Sequence, residues 1–293
     1  MKLVFIGFGE AAYNIAVGLK SEGFGEMGAF DVCAKDPIRG KLILERAKEL
    51  GVVLFDDLSE ACQNGEFIFS LTSAKDAVAV AKDAFQYLKK GQVYIDMNSA
   101  APTVEEQIER LPRAEGVLFC DAGVMGTVPG NRHKVPMFLS GDGATAFAEK
   151  FASFGMNLTV LEAPAGGASA IKMFKSVVMK GLPQLMFESF EGAQKYGVLD
   201  ILVESLRGSL EGKSIQKLAD TFIARTLIHA ARRSAEMKDV VNTLETLNVD
   251  ASMSKATVAK LDQMAGQDWM NLLGEGGSKL GYQDAMKKYM NLK

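Results

Sequence analysis

Short apolar runs alternate with amphipathic stretches through roughly the first 160 residues. Clusters at 2–6, 30–34, 67–71, 93–96, 118–121, 137–140 and 158–161 are apolar or β-branched, too short for helices, and read as strands. Between them, residues 11–21, 41–50 and 104–111 carry apolar positions three and four apart, the spacing of one helix face. Thr103 with Glu106 three residues on predicts a capping box at the start of the third helix. Strict alternation of strand and helix predicts βαβ units, and so an α/β Rossmann domain with a doubly wound, mainly parallel sheet.

From about Gly166 the period changes. No later segment reads as a strand, and long runs keep helical spacing, which predicts an all-α C-terminal domain. Leu218, Phe222, Ile223, Leu227, Ala230, Met237, Val241 and Leu244 trace one stripe, with Arg232, Arg233, Glu236 and Lys238 on the same predicted helix. The small, Pro/Gly-rich segment 162–167 is the expected hinge. It divides the chain into residues 1–164, the Rossmann domain, and 165–293, the all-helical domain.

With 293 residues and 48% hydrophobic content, the chain can fill two cores of ordinary size. A formal charge of −3 gives no basic surface for a nucleic acid. Every apolar run is interrupted well short of a membrane span, and the first run ends at Gly7, too soon for a signal peptide, so a soluble, cytoplasmic protein is expected. Cys33, Cys62 and Cys120 form no CxxC pair, which suits a reducing compartment, and with only His133 and His229 besides them no metal site is expected. The Met-, Leu- and Phe-rich helical domain suggests burial against a second copy, a homodimer.

Candidate chemistry begins directly after the first strand. Gly7-Phe8-Gly9-Glu10-Ala11-Ala12 is a GxGxxA turn opening a helix. Gly7 permits the tight turn, Gly9 lets backbone approach a pyrophosphate, and Ala12 lets the helix pack close to the sheet. The helix N-terminus offers N–H groups and a positive dipole end to phosphate. These six residues are the expected dinucleotide cradle. Asp36, expected at the end of the second strand, would accept hydrogen bonds from the ribose hydroxyls and so favours NAD, while Lys35 and Arg39 leave NADP open. The same carboxylate before Pro37 also suits a helix N-cap or turn. Leu71, Thr72 and Ser73, at another strand end, are expected across the same crevice.

Three further segments resemble, in order, motifs of the β-hydroxyacid dehydrogenase family, which includes 3-hydroxyisobutyrate dehydrogenase and 6-phosphogluconate dehydrogenase. Asp96-Met97-Asn98-Ser99-Ala100-Ala101-Pro102 resembles D-x-S-T-x-x-P. Asp121-Ala122-Gly123-Val124-Met125-Gly126-Thr127 resembles the substrate loop D-A-P-V-S-G-G, and Gly166-Gly167-Ala168-Ser169-Ala170-Ile171-Lys172 resembles the G-x-G-x-x-x-K run that carries the catalytic lysine. Residues 168–181 and 229–237 bring it nearest the 6-phosphogluconate dehydrogenase-like subgroup, whose functions are diverse.

The resemblance implies a dehydrogenase acting on a small acidic hydroxy acid, with Lys172 as general acid/base. Oxidising an alcohol needs a group that takes the hydroxyl proton as hydride leaves, and a lysine can do so if burial beside the cofactor lowers its pKa. Just past the hinge, Lys172 is expected to face the cleft between the domains. Ser176 follows one turn later on the same face, where the family has Asn. Asn98 and Ser99 keep polar side chains where the family has Ser-Thr, whereas Met125 and Thr127 replace Ser and the second Gly. With Gly126 these form the expected substrate site. The charged run 131–134 and the group His229, Arg232 and Arg233 are candidates for holding an acid; pairing with Glu236 is the structural alternative for the latter. Two rival functions fit the same architecture: imine reduction, although imine reductases commonly lack the lysine, and a non-catalytic dinucleotide-binding regulator.

Overall fold

The computed structural model describes residues 2–274 and 276–291. It divides into two compact units, residues 1–177 and 178–293.

The first unit is built on eight strands: β1 (Lys2–Ile6), β2 (Glu26–Phe30), β3 (Val53–Leu54), β4 (Phe67–Ser70), β5 (Val93–Asp96), β6 (Leu118–Val124), β7 (Met137–Ser140) and β8 (Leu158–Val160). Their order in the sheet is β3-β2-β1-β4-β5-β6-β7-β8, parallel throughout except between β6 and β7. Helices α1 (Glu10–Ser21), α2 (Arg39–Leu50), α3 (Leu58–Asn64), α4 (Ala77–Phe85), α5 (Pro102–Glu109), a short kinked α6 (Val128–Asn131) and α7 (Ala144–Ala152) connect them. This is the expected Rossmann architecture. Strand order reverses between β1 and β4, opening a crevice beyond their carboxyl ends. One face of the sheet buries Phe5, Phe69, Phe147 and Phe151, whose rings meet edge-on or tilted at 5.1–5.7 Å. Each such ring contributes about 1.5–3 kcal/mol by leaving water.

Two local expectations are corrected. The second strand is 26–30 rather than 30–34, because Gly28 and Ala29 weaken its apolar signal while Val32 imitates one. Gly28 is needed there, since a Cβ would collide with the Phe55 ring, and Val32 is 81% exposed. The capping box at Thr103 does not form: α5 begins at Pro102, is entered from Ala101, and has no side-chain cap. Pro at the first helical position already suits an N-terminus whose N–H needs no partner.

α8 (Gly167–Tyr196) starts in the first unit, so the division expected after Pro164 falls before the observed limit. The second unit continues with α9 (Leu199–Leu210), α10 (Ile215–Ile228), α11 (Ala230–Thr246), α12 (Ser252–Ala265), α13 (Trp269–Leu273) and α14 (Tyr282–Met290). The stripe read as one helix is two, broken at His229, whose backbone (φ −106°, ψ 20°) leaves helical geometry. A buried Glu188 carboxylate accepts the N–H groups of Met253 (2.8 Å) and Ser254 (2.9 Å), fixing the start of α12. Among the described residues, no helix is long and apolar enough to cross a membrane.

Candidate active site

The glycine turn lies where the sheet's topology opens its crevice. Gly7 has φ +85° and donates its N–H to the Phe30 carbonyl at 2.8 Å. A Cβ at Gly7 would collide with the Leu71 carbonyl oxygen, so two chain segments close on each other only because no side chain stands between them. Gly9 precedes the first turn of α1 without a side-chain cap, and a Cβ there would meet open space. Ala12 is fully buried against the sheet, while Glu10 stays exposed and Ala11 half-buried. Phe8 is not part of the open surface: its ring packs on Phe5 at 5.6 Å and its N–H goes to Asp31 Oδ2 at 2.7 Å. Beyond the turn lies a crevice of about 830 Å³ lined by Gly7, Gly9, Asp31, Arg39 and Thr72, among others. The uncapped helix start, the Cβ-free turn and this volume fit a dinucleotide.

The acid at the strand end is Asp31. Its carboxylate accepts from Phe8 N and, at 2.8 Å, from Cys33 N, which ends β2. Asp36 is placed differently from the expectation. It is exposed, and its Oδ1 accepts N–H groups of Ile38 and Arg39, both at 2.8 Å, as a turn and helix-start residue. Those bonds, Arg39 first, hold its carboxyl below the usual range. An acid about twenty residues past the glycines was the usable signal, and both aspartates satisfy it; with β2 ending at Phe30, Asp31 is the one at the strand end.

Leu71, Thr72 and Ser73 do line the crevice. Thr72 N donates to Asn98 Oδ1 at 2.7 Å, and Ser73 Oγ donates to Asp76 at 2.6 Å. Asn98 is committed internally rather than to a ligand. Its amide nitrogen reaches Asp96 Oδ2 (3.0 Å) and Ser70 Oγ (3.2 Å), and its N–H reaches Asp96 Oδ1 (2.8 Å). It ties the ends of β4 and β5 together. The next residue, Ser99, is exposed, and its Oγ accepts a hydrogen bond from Lys172 Nζ at 2.7 Å. Ser176, one turn on, donates its hydroxyl back to the Lys172 carbonyl at 3.0 Å.

What holds Lys172 there is Asp121, 1% exposed on β6. Its carboxylate accepts Gly166 N (3.0 Å), Ser169 N (3.1 Å), Ser169 Oγ (2.8 Å) and Ser140 Oγ (3.0 Å). A buried anion thus caps the helix that carries the lysine, where the dipole favours it. Gly123 completes the join, since a Cβ would stand 2.7 Å from the Ala168 carbonyl oxygen. The expected substrate loop is accordingly part strand: β6 runs to Val124, and only Met125, Gly126 and Thr127 project beyond it, the last two exposed. Met125 N is already taken by the Pro136 carbonyl at 2.8 Å.

Two further acids are buried within electrostatic range of Asp121. Asp96 is pushed up to about 7, mainly by burial, against the hydrogen bonds from Asn98. Glu105, on α5, is 1% exposed, and neither carboxyl oxygen has a hydrogen-bond partner among the described residues. Burial and then the charges of Asp96 and Asp121 raise it to about 10, with Lys172 opposing.

Among the remaining charged candidates, Lys134, Arg232 and Arg233 have partners within the chain. His133 is buried and sits 3.7 Å from Glu22, with Lys134 2.7 Å from the same carboxylate. Arg232 pairs with Glu236, and Arg233 donates to Thr226 Oγ1 at 2.6 Å. No cluster of three or more metal-ligating side chains occurs among the described residues.

A family model described as the NAD binding domain of 6-phosphogluconate dehydrogenase matches residues 2–161, and a domain of unknown function, DUF1932, matches 193–264. Among solved structures, a conserved hypothetical protein from Sinorhizobium meliloti 1021 is 30% identical, with 99% of this chain and 96% of that one covered and a TM-score of 0.64. A second conserved protein, described as structurally similar to 3-hydroxyacid dehydrogenases, is 27% identical over 91% of this chain and 97% of its own (TM-score 0.63). An imine reductase from Myxococcus stipitatus is 14% identical and shares the fold. With NADP+ it aligns at a TM-score of 0.68, covering 99% of this chain and 100% of that one; a variant with NAD+ aligns at 0.70, covering 98% and 99%.

Proposed function

The chain belongs to the family defined by the NAD binding domain of 6-phosphogluconate dehydrogenase, and we propose that it is a dehydrogenase that interconverts a small 3-hydroxy acid and its semialdehyde or keto acid. The observation that carries this reading is the Lys172–Ser99 hydrogen bond of 2.7 Å, one residue from Asn98, whose side chain accepts from the N–H of Thr72 on the crevice wall. A bound nicotinamide supplies or accepts the hydride. Lys172 then handles the accompanying proton: its ammonium protonates the oxygen formed in reduction, and its neutral amine accepts the hydroxyl proton in oxidation. Ser99 fixes the lysine's Nζ and is placed to share a hydrogen bond with the substrate oxygen. Gly126 and Thr127 are proposed to hold the acid group, as their loop leaves the strand packed against the start of α8. A spectrophotometric panel of 2- and 3-hydroxy acids with each dinucleotide tests the proposal. Turnover of a cyclic imine and of no hydroxy acid would instead support the C=N chemistry of the imine reductases that share the fold.

Asp31, rather than Asp36, is proposed to set dinucleotide preference. Its carboxylate would accept ribose hydroxyls and repel a 2′-phosphate. Asp31→Asn should move the ratio of NADH to NADPH affinities by about tenfold or more toward NADPH, whereas Asp36→Asn should leave it unchanged. Fluorescence titration with both reduced dinucleotides checks this; an unchanged ratio in the Asp31 variant rejects it.

Self-association belongs to the same reading. Within the second unit, Phe187 and Ile201 are more than two-thirds exposed, and Leu182, Leu185 and Met186 line an apolar cavity of about 450 Å³. Such a surface suits a subunit interface. Sedimentation velocity should show a dimer at micromolar concentration, and Phe187→Glu should shift it toward monomer.

A further inference from the structure

Asn98 stands where the resemblance to hydroxyacid dehydrogenases puts a ligand-facing side chain, yet it is 6% exposed and both ends of its amide are engaged within the chain. The carbonyl end accepts the Thr72 N–H at 2.7 Å. The amino end donates to Asp96 Oδ2 at 3.0 Å and to Ser70 Oγ at 3.2 Å. Turned over, the amide would set its oxygen against the Asp96 carboxylate and its N–H groups against the Thr72 N–H, so one orientation is held. A hydroxyl, with a single donor and a shorter reach, cannot serve both ends.

These bonds join two places that the proposed reaction must bring together. On one side, Thr72 follows Leu71, whose carbonyl oxygen closes on Gly7 so tightly that a Cβ there would collide with it, and all three residues line the dinucleotide crevice. On the other, Asn98 precedes Ser99, which accepts the Lys172 hydrogen bond, and the Asn98 N–H is itself held by Asp96 Oδ1 at 2.8 Å. From Thr72 to Lys172, every step is one hydrogen bond or one peptide bond, and all of these residues belong to the first unit.

We infer that Asn98 is a positioning residue that sets the register between the bound dinucleotide and Lys172. The inference rests on the reading of Lys172 as acid/base. Hydride and proton must reach the same substrate, and a displacement of about 1 Å between reacting groups can cost on the order of 10²-fold in rate. Asn98 fixes the crevice wall and the lysine's hydrogen-bond partner to each other across the ends of β4 and β5.

The test uses the full-length protein, NADH and trinitrobenzenesulfonate, and needs no substrate. Trinitrophenylation of Lys172, followed by peptide mass spectrometry, is compared without NADH and at a concentration that saturates each variant by fluorescence titration. In the wild type NADH should slow the reaction about tenfold, since a ligand seated in its crevice shields the amine behind it. Asn98→Asp, which sets a second carboxylate against Asp96, and Asn98→Ser, too short to span to Thr72, should cut that protection to about twofold or less. The exchanged pair, Asp96→Asn with Asn98→Asp, again faces an amide donor with a carboxylate and keeps an oxygen toward Thr72; it should restore the protection. A role in stability alone would lower Tm in the single variants and leave protection at saturation unchanged. Protection at the wild-type level in whichever single variant folds, or failure of a folded exchanged pair to recover it, overturns the proposal. Absence of protection in the wild type overturns it together with the placement of Lys172 beside the nicotinamide. Retention of turnover by Lys172→Ala would overturn the catalytic reading while leaving the protection pattern in place, so the two failures are separable.

Discussion

Lys172→Ala is expected to lower turnover of the hydroxy acid by about 10²–10⁴-fold, the usual contribution of a positioned acid/base, while leaving dinucleotide affinity unchanged. The reasoning is local. The lysine's Nζ donates to Ser99, whereas the geometry of the glycine turn depends on Gly7, Phe30 and Asp31. Steady-state kinetics beside a NADH fluorescence titration separates the two quantities. A parallel fall in affinity would mean that the variant disturbs the fold. An unchanged turnover would assign the proton transfer to another group and return the non-catalytic, dinucleotide-binding reading to contention. Lys172→Arg should recover little, since the guanidinium does not release its proton near neutral pH.

The largest expected effect on stability is at Asp121. Asp121→Ala removes the acceptor of four buried donors and leaves the start of α8 uncapped. Breaking a buried, hydrogen-bonded charge of this kind costs about 3–5 kcal/mol, which for a unit of this size lowers Tm by roughly 6–20 °C. Asp121→Asn keeps acceptor capacity on one oxygen and should lose about half as much. Scanning calorimetry measures both. Because Lys172 lies one turn past Ser169, the Asn variant should also lose kcat with little change in dinucleotide binding. A Tm within a degree of wild type in Asp121→Ala would show that water replaces the carboxylate.

Much of this arrangement was legible in the sequence. Alternation of apolar runs with helical spacing is a property of the chain itself, and it fixed the architecture, the crevice and the glycine turn. The run of small residues before Lys172 reads as a hinge; in the fold it is a helix start packed close to the sheet, held by Gly123 and Asp121. The errors arose where one residue's environment is set by distant partners. Asn98 reads as a polar side chain free for substrate until Asp96, Ser70 and Thr72 are seen around it. Glu105 and Glu106 are indistinguishable as letters, yet only the first is sealed against two other acids. The stripe from Leu218 to Leu244 stays in phase across His229, so periodicity alone cannot reveal the break.

Asp31 latches the turn through Phe8 and Cys33, and the proposal gives it a second job, recognition of a ribose. For a lineage of such proteins, changing dinucleotide is therefore not a neutral single step. Any replacement that drops the charge also loosens the turn, so mutants en route to the other cofactor are handicapped in abundance before they gain in selectivity. Such a change is most accessible after an unrelated stabilising substitution has accumulated, and preference in this group should track ancestry more closely than metabolic need.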